Sequence, residues 1–370
     1  MDGLIFLYLI SFPFGQIIKP LPDILIGIIC IYAIIRGYKF RTGNFLVVCI
    51  FSLLFSLTFF KVPQIFTGIL YLIRLAGYII FSQITYKQFA GEKKKIKLIF
   101  NSLIMVGMFI AIFGWIQYFI FPDLRVLKVL GWDDHYFRLV STFFDPAFTG
   151  ILLTLTEILL IVKTAGEKTK LNYLLNIFLI ATVLFTYSRA SFISLFFAMI
   201  FLLWNLRQRF ILIFLVLFVV SIPFLPKVSG EGTNLARTYS VGQKFINYNE
   251  SISLIRISPI FGVGFNNLCI AKEKFFGNNN TLSHTCSGLD NSLLFVFATT
   301  GVIGLLVFGQ DICRIIKNTD INPYGLGLLA AFIAIFIHGM FTETFFYNFV
   351  LGWVAILVGI TRKNNFEKIS

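Results

Sequence analysis

LFVVSIPFLP at 217–226 and NSLLFVFATTGVIGLL at 291–306 are apolar enough to lie in lipid, whereas the stretch between them, 225–291, is mixed in polarity. It carries Arg237, Lys244, Arg256, Lys272, Lys274, Glu231, Glu250, Glu273 and Asp290, with two cysteines and many Asn and Ser residues. A loop this long inside a compact chain is usually functional or disordered, and this one is patterned. Val241, Phe245, Tyr248, Ile252 and Ile255 recur at helical spacing after Ser240, a candidate N-cap, and stop before Pro259, which predicts an amphipathic helix lying on the rest of the protein.

Outside that loop the chain is nearly continuous apolar sequence. Of its 370 residues 58% are hydrophobic and only 13% charged, and the mean hydropathy is +0.87, which excludes a soluble globular protein. About twelve segments have the length and composition of membrane spans: 3–18, 22–36, 43–60, 64–83, 98–121, 147–163, 171–187, 190–204, 210–225, 291–310, 325–341 and 346–361. Two pairs, 171–187 with 190–204 and 325–341 with 346–361, are nearly continuous and read equally as re-entrant hairpins. The N-terminus lacks a basic leader and a cleavage site and reads as a retained first span. The expected fold is an all-α polytopic membrane protein: an N-terminal bundle of about nine spans over 1–224, a partly helical extracytoplasmic loop over 225–291, and about three further spans with a cytoplasmic tail over 292–370. No internal repeat is visible.

The net charge of +14 follows the spans and implies no nucleic-acid partner. With a cytoplasmic N-terminus, the inner loops hold Arg36, Lys39, Arg41, Lys87, Lys93, Lys94, Lys95, Lys97, Lys163, Lys168, Lys170, Arg207, Arg209, Arg314, Lys317, Arg362, Lys363 and Lys368. The short outer loops hold only Lys19, Lys61, Arg125, Lys128, Arg138 and Arg189. The bias places the long loop and the 122–146 segment outside and both termini inside.

Ionisable groups within spans are costly and are read as functional sites with named partners. Arg74 and Glu157 are such groups; they pair with each other, or each snorkels into a polar seam, or Arg74 contacts a ligand. On the outer side stand Arg138, Arg189, Arg237 and Arg256. Guanidinium forks suit phosphate oxygens, so these arginines beside lipid point to an anionic headgroup or a pyrophosphate, with ordinary anchoring to lipid phosphates as the alternative. Outer acids are fewer: Asp290 before the tenth span, and Glu343 in the turn MFTETFF. Asp133, Asp134 and His135 are compact but lack further ligands, so no metal site is expected. Cys269 and Cys286 share the outer loop, and spacing leaves their pairing open.

Four stretches, RLVSTFFDPAFTG at 138–150, TYSRASFISL at 186–195, ISPIFGVGFNNL at 257–268 and LDNSLLFVFATTGVIGLL at 289–306, together resemble bacterial O-antigen polymerases (Wzy-type) and O-antigen ligases. The resemblance covers the C-terminal two thirds. It implies a GT-C-like membrane glycosyltransferase of the inner membrane, acting on undecaprenyl-pyrophosphate-linked oligosaccharide on the outer side, with a chain-length regulator as a protein partner and no cofactor. A polymerase moves the growing chain onto the next repeat unit; a ligase moves it to a terminal acceptor. By the same resemblance Arg189 and Arg237 would hold the pyrophosphate; Arg138, Arg256, Arg74 and Glu343 are further candidate substrate contacts on the separate ground that they are charged groups within a span or on the outer side. Ligases carry His-Asn before the span that follows the loop; this chain has Asp290–Asn291, which favours polymerase. Asp290 would then be the general base, or else the cap of the following helix. A transporter of lipid-linked sugars is the reading from another class, kept alive by Arg74, Glu157 and the glycine-rich spans.

Overall fold

The computed structural model describes residues 1–89, 91–130, 135–228, 231–277 and 288–363. Among them there is no strand, and helices follow one another almost without interruption: α1 (Asp2–Ser11), α2 (Leu21–Ile35), α3 (Asn44–Phe55), α4 (Phe66–Phe89), α5 (Lys93–Ile120), α6 (Pro146–Gly166), α7 (Lys170–Phe185), α8 (Arg189–Leu206), α9 (Arg209–Ser221), α10 (Tyr239–Ile257), α11 (Leu268–Phe276), α12 (Ser292–Lys317), α13 (Pro323–Gly339) and α14 (Asn348–Thr361). Five of them, α4, α5, α6, α8 and α12, are long and apolar enough to cross a membrane, and shorter apolar helices pack between them. The protein is a polytopic, membrane-integral helical bundle.

Polar residues set where the helices start. Asp145 caps α6 by accepting the amides of Ala147 and Phe148, with Pro146 as first helical residue. Ser188 caps α8, Asn291 caps α12, and Asn322 caps α13 ahead of Pro323. The cap of α12 is therefore Asn291, whose side chain accepts from Leu293 and Leu294, and Asp290 is free of that duty.

α6 lies at the centre, enclosed by α5, α7, α8 and α13. A helix apolar on every side belongs inside a bundle. Its Glu157 is fully buried, and neither carboxylate oxygen has a hydrogen-bond partner among the described residues. The expected pairing with Arg74 does not form. Arg74 instead reaches Asp23 of α2 at 2.6 Å and lies over the ring of Tyr71, while the Tyr78 hydroxyl donates to the same aspartate. Asp23 sits in the first turn of α2, close enough to take the guanidinium.

A second core unites α3, α12 and part of the outer loop: Phe45, Leu53, Leu254, Val263, Phe265, Leu268, Phe295 and Val296 pack together. It exists because α12 is interrupted. Gly301 has φ 68 and ψ −172, and the helical ladder breaks there. The chain at 258–264 fills the break: Val263 and Gly264 donate amides to Ala298 and Thr299, and Val302 donates to Pro259. Non-helical backbone at membrane depth persists only where protein satisfies it in this way. The contact leaves no room for side chains, since a Cβ at Gly301 would stand 2.0 Å from the Ile260 carbonyl oxygen and one at Gly262 would stand 2.3 Å from the Thr299 backbone.

Helix α10 exists over nearly the predicted range, starting after Thr238 rather than Ser240. Its packing face differs from the expected one. Ser251 and Leu254 are buried and Lys244, Asn247, Tyr248 and Ile255 half-buried, whereas Phe245 and Ile252 are exposed. The side chain of Val241 lies outside what is described, as do Asp133, Asp134 and Cys286. Thus a polar stripe at i, i+3, i+4, i+7 meets the protein, because what lies beneath it is the polar entrance of α12.

Candidate functional site

A cavity of about 390 Å³ opens at the end of the bundle where α6 and α8 begin, lined by Arg138, Ala147, Ser188, Arg189, Arg237, Lys244, Phe245, Tyr248, Phe341 and Thr342 among others. Three of the outer arginines singled out in the sequence meet here, contributed by three separate parts of the chain.

Each arginine is aimed by backbone carbonyls. Tyr187 takes a left-handed conformation (φ 51), which turns the chain sharply between α7 and α8 and places Arg189 at the first position of α8. Arg138 is buried and donates to the carbonyls of Thr186 and Tyr187 at 3.1 and 3.3 Å, clamping that same turn. Arg189 donates to the carbonyls of Leu235 and Arg237 at 3.3 and 3.1 Å. Arg237 donates to Gly232 and Asn234 within its own loop. The guanidinium groups therefore stitch the α7–α8 turn to the start of the outer loop.

The first turns of α6 and α8 also face the cavity through Ala147, Ser188, Arg189 and Ala190. Helix N-termini carry partial positive charge and unpaired amides, so they add to the field of the arginines. A concave site with this much positive charge and an apolar rim of Ile193, Phe245 and Phe341 suits an anionic group attached to something apolar. Asp145, the cap of α6, feels the charges of Arg138 and Lys244. Burial raises its pKa, against the pull of the Phe148 amide, the Arg138 charge, the Ala147 amide and the Lys244 charge.

Asp290 joins the site through Lys244. The lysine lines the cavity, donates to Asp290 Oδ1 at 3.1 Å, and also bonds the carbonyl of Phe341. Asn247 donates to the other carboxylate oxygen at 2.8 Å. Tyr248 Oη lies 2.9 Å from the Met340 carbonyl and 3.3 Å from that of Asp290. Lys244 and Asn247 were not among the sequence's site candidates, and Tyr248 was read only as part of the apolar stripe of α10; the polar stripe, Lys244, Asn247, Tyr248 and Ser251, has the same helical spacing.

The remaining sequence candidates stand elsewhere. Glu343 lies in the α13–α14 turn against Gly288, behind Asp290 rather than in the cavity lining. Burial pushes its pKa up to about 8, with the Leu289 amide and the Lys272 charge opposing. Arg256 is exposed in the last turn of α10, about 18 Å along the helix from Lys244. Arg74 is committed to Asp23 within the spans. Among the described residues no cluster of His, Cys, Asp and Glu has the make-up of a metal site.

Residues 174–309 match the family model described as O-Antigen ligase. The matched stretch runs from α7 into α12 and so contains Arg189, Arg237, Lys244 and Asp290; Arg138 and Glu343 fall outside it. The match bears out the resemblance to O-antigen polymerases and ligases, membrane enzymes of surface-polysaccharide assembly. No curated protein matches the chain.

Proposed function

From the kinship of residues 174–309 with O-antigen ligases, we propose that this protein polymerises undecaprenyl-pyrophosphate-linked oligosaccharide repeat units into O-antigen, capsular or another surface polysaccharide. About twelve helices cross the inner membrane in this reading, in a GT-C-like arrangement with the cavity on the outer side. The observation that carries it is the convergence of Arg138, Arg189, Arg237 and Lys244 on one cavity, with Asp290 held by that lysine.

The donor's diphosphate enters among the cations and its polyprenyl chain stays in lipid. The acceptor hydroxyl oxygen forms a bond to the anomeric carbon, the bond from that carbon to the diphosphate oxygen breaks, and its electron pair leaves with the phosphate. The acceptor proton passes to Asp290. Arg189 and Arg237 stabilise the charge gathering on the departing diphosphate, the preorganised electrostatic help that dominates many active sites. Holding donor and acceptor together supplies much of the remainder. Because the donor already bears a good leaving group, no nucleotide sugar enters this scheme.

Asp290 where ligases carry histidine favours polymerisation over ligation. A reconstituted assay offering either a second lipid-linked repeat or a terminal acceptor separates the two, and transfer only to the terminal acceptor makes the protein a ligase. In cells lacking the protein, lipid-linked single repeats should accumulate; unchanged chain length ends the proposal. A chain-length regulator would act as a protein partner in the membrane.

A further inference from the structure

The tip of the outer loop, around Ile260 and Phe261, is tied to a point well inside α12. Gly301 lies nine residues below Ser292 and thirteen above Arg314, or about 13 Å and about 20 Å along the axis. A hydrocarbon core of about 30 Å that begins at Arg314 would end near the first turn of α12. The break, and the tip bonded to it, then lie roughly 10 Å beneath the outer edge of that core.

The side chains at the tip fit that depth. Ile260 is 52% exposed and Phe261 40% exposed, and the Phe261 ring lies 4.9 Å from that of Phe55 at the end of α3. Around them α3 exposes Phe51 and Leu54, and α12 exposes Val302, Ile303 and Leu306. The tip thus continues the lipid-facing surface of two spans rather than capping them with polar atoms. Protein satisfies much of the backbone flanking the tip: Gly262, Val263 and Gly264 donate their amides to Ser258, Ala298 and Thr299, and Pro259 has no amide hydrogen to satisfy. Arg256, exposed one turn before Pro259, stands where a guanidinium can reach up to phosphate.

We propose that the Pro259–Val263 tip is inserted into the outer leaflet, with Ile260 and Phe261 against acyl chains and Arg256 at the level of the lipid phosphates. The outer loop is then anchored at both ends of α10, by the cavity network at Lys244 and by lipid at the tip. This assignment rests on the packing against α3 and α12 and stands independently of the glycosyl-transfer reading.

Nitroxide labels test it in Cys313→Ser protein reconstituted into vesicles of phosphatidylcholine and phosphatidylglycerol. Ile260→Cys and Phe261→Cys provide two tip positions, and Asn249→Cys, an exposed polar position near the middle of α10, provides the reference. At the tip, collisions with oxygen should exceed those with a water-soluble nickel chelate, and at Asn249 the order should reverse. Tip labels that favour the chelate, or that neither collider reaches because protein covers them, would overturn the proposal. Using two tip positions keeps the result readable when one variant fails to fold.

Discussion

Arg189 occupies the first position of α8, in a turn that Tyr187 bends and Arg138 clamps, so its guanidinium is fixed in direction as well as charge. Arg189→Lys retains the charge and loses the planar fork. Turnover in the reconstituted assay should fall on the order of 10²-fold, the usual loss when one preorganised donor is removed; unimpaired turnover would leave Arg189 a structural tie only. Asp290→Asn preserves the shape, and Asn291 still caps α12, so its expected loss of about 10²- to 10⁴-fold is chemical rather than structural. Full activity in that variant would remove the base from the mechanism. Glu343 gives a pH prediction. Its carboxyl stays protonated up to about 8 in the fold and ionises near 4.3 when unfolded. The folded state therefore holds the extra proton, its stability is greatest below the unfolded pKa, and it declines as pH rises through about 8, levelling off beyond. Thermal unfolding of purified protein across that range should show the decline, and Glu343→Gln should flatten it.

At the scale of elements, α10 and α12 show what sequence conveys and what it withholds. Helical spacing and Pro259 placed α10 to within a residue or two, yet the apolar stripe did not say which side would pack. Period fixes relative positions on a cylinder; orientation depends on the partner surface, and here that surface includes Asp290 and the carbonyls of the α13–α14 turn. The arginines were legible because charge beside lipid is expensive wherever it stands. Lys244 was not, since a lysine in a polar loop resembles any solvated one. The interruption of α12 was hidden for a similar reason: FATTGVIGLL reads as uniform span, and only the approach of Ile260 makes Gly301 indispensable. Gly301→Ala would force a side chain into the left-handed region and against that carbonyl, at a cost of about 1–3 kcal/mol or more. A lowered unfolding temperature should report it, and Gly262→Ala should act on the same contact, so that the double variant loses less than the sum. Independent, additive losses would mean the two glycines serve separate contacts.

Over the whole molecule, two apolar cores are joined through α4, which packs on α14 and α2 on one side and on α3 on the other. The Asp23–Arg74 pair lies along that junction. Deleting one member leaves a charge without its counterion, whereas replacing both leaves none. Asp23→Leu and Arg74→Leu should each destabilise the purified protein by roughly 3–5 kcal/mol, and the double variant should recover most of that; a double variant as unstable as the sum would show that the pair is unimportant. The helical, membrane-integral character was readable from composition, while this pairing, formed across fifty residues of sequence, was not.

The interruption in α12 bears on how the protein is made. Residues 258–264 are synthesised before Ala298 and Thr299, which accept the amides of Val263 and Gly264, and the nascent α12 cannot close its own ladder within hydrocarbon. Neither piece is complete alone, so each segment's backbone is fully satisfied only after residue 302 has been made and the two have met.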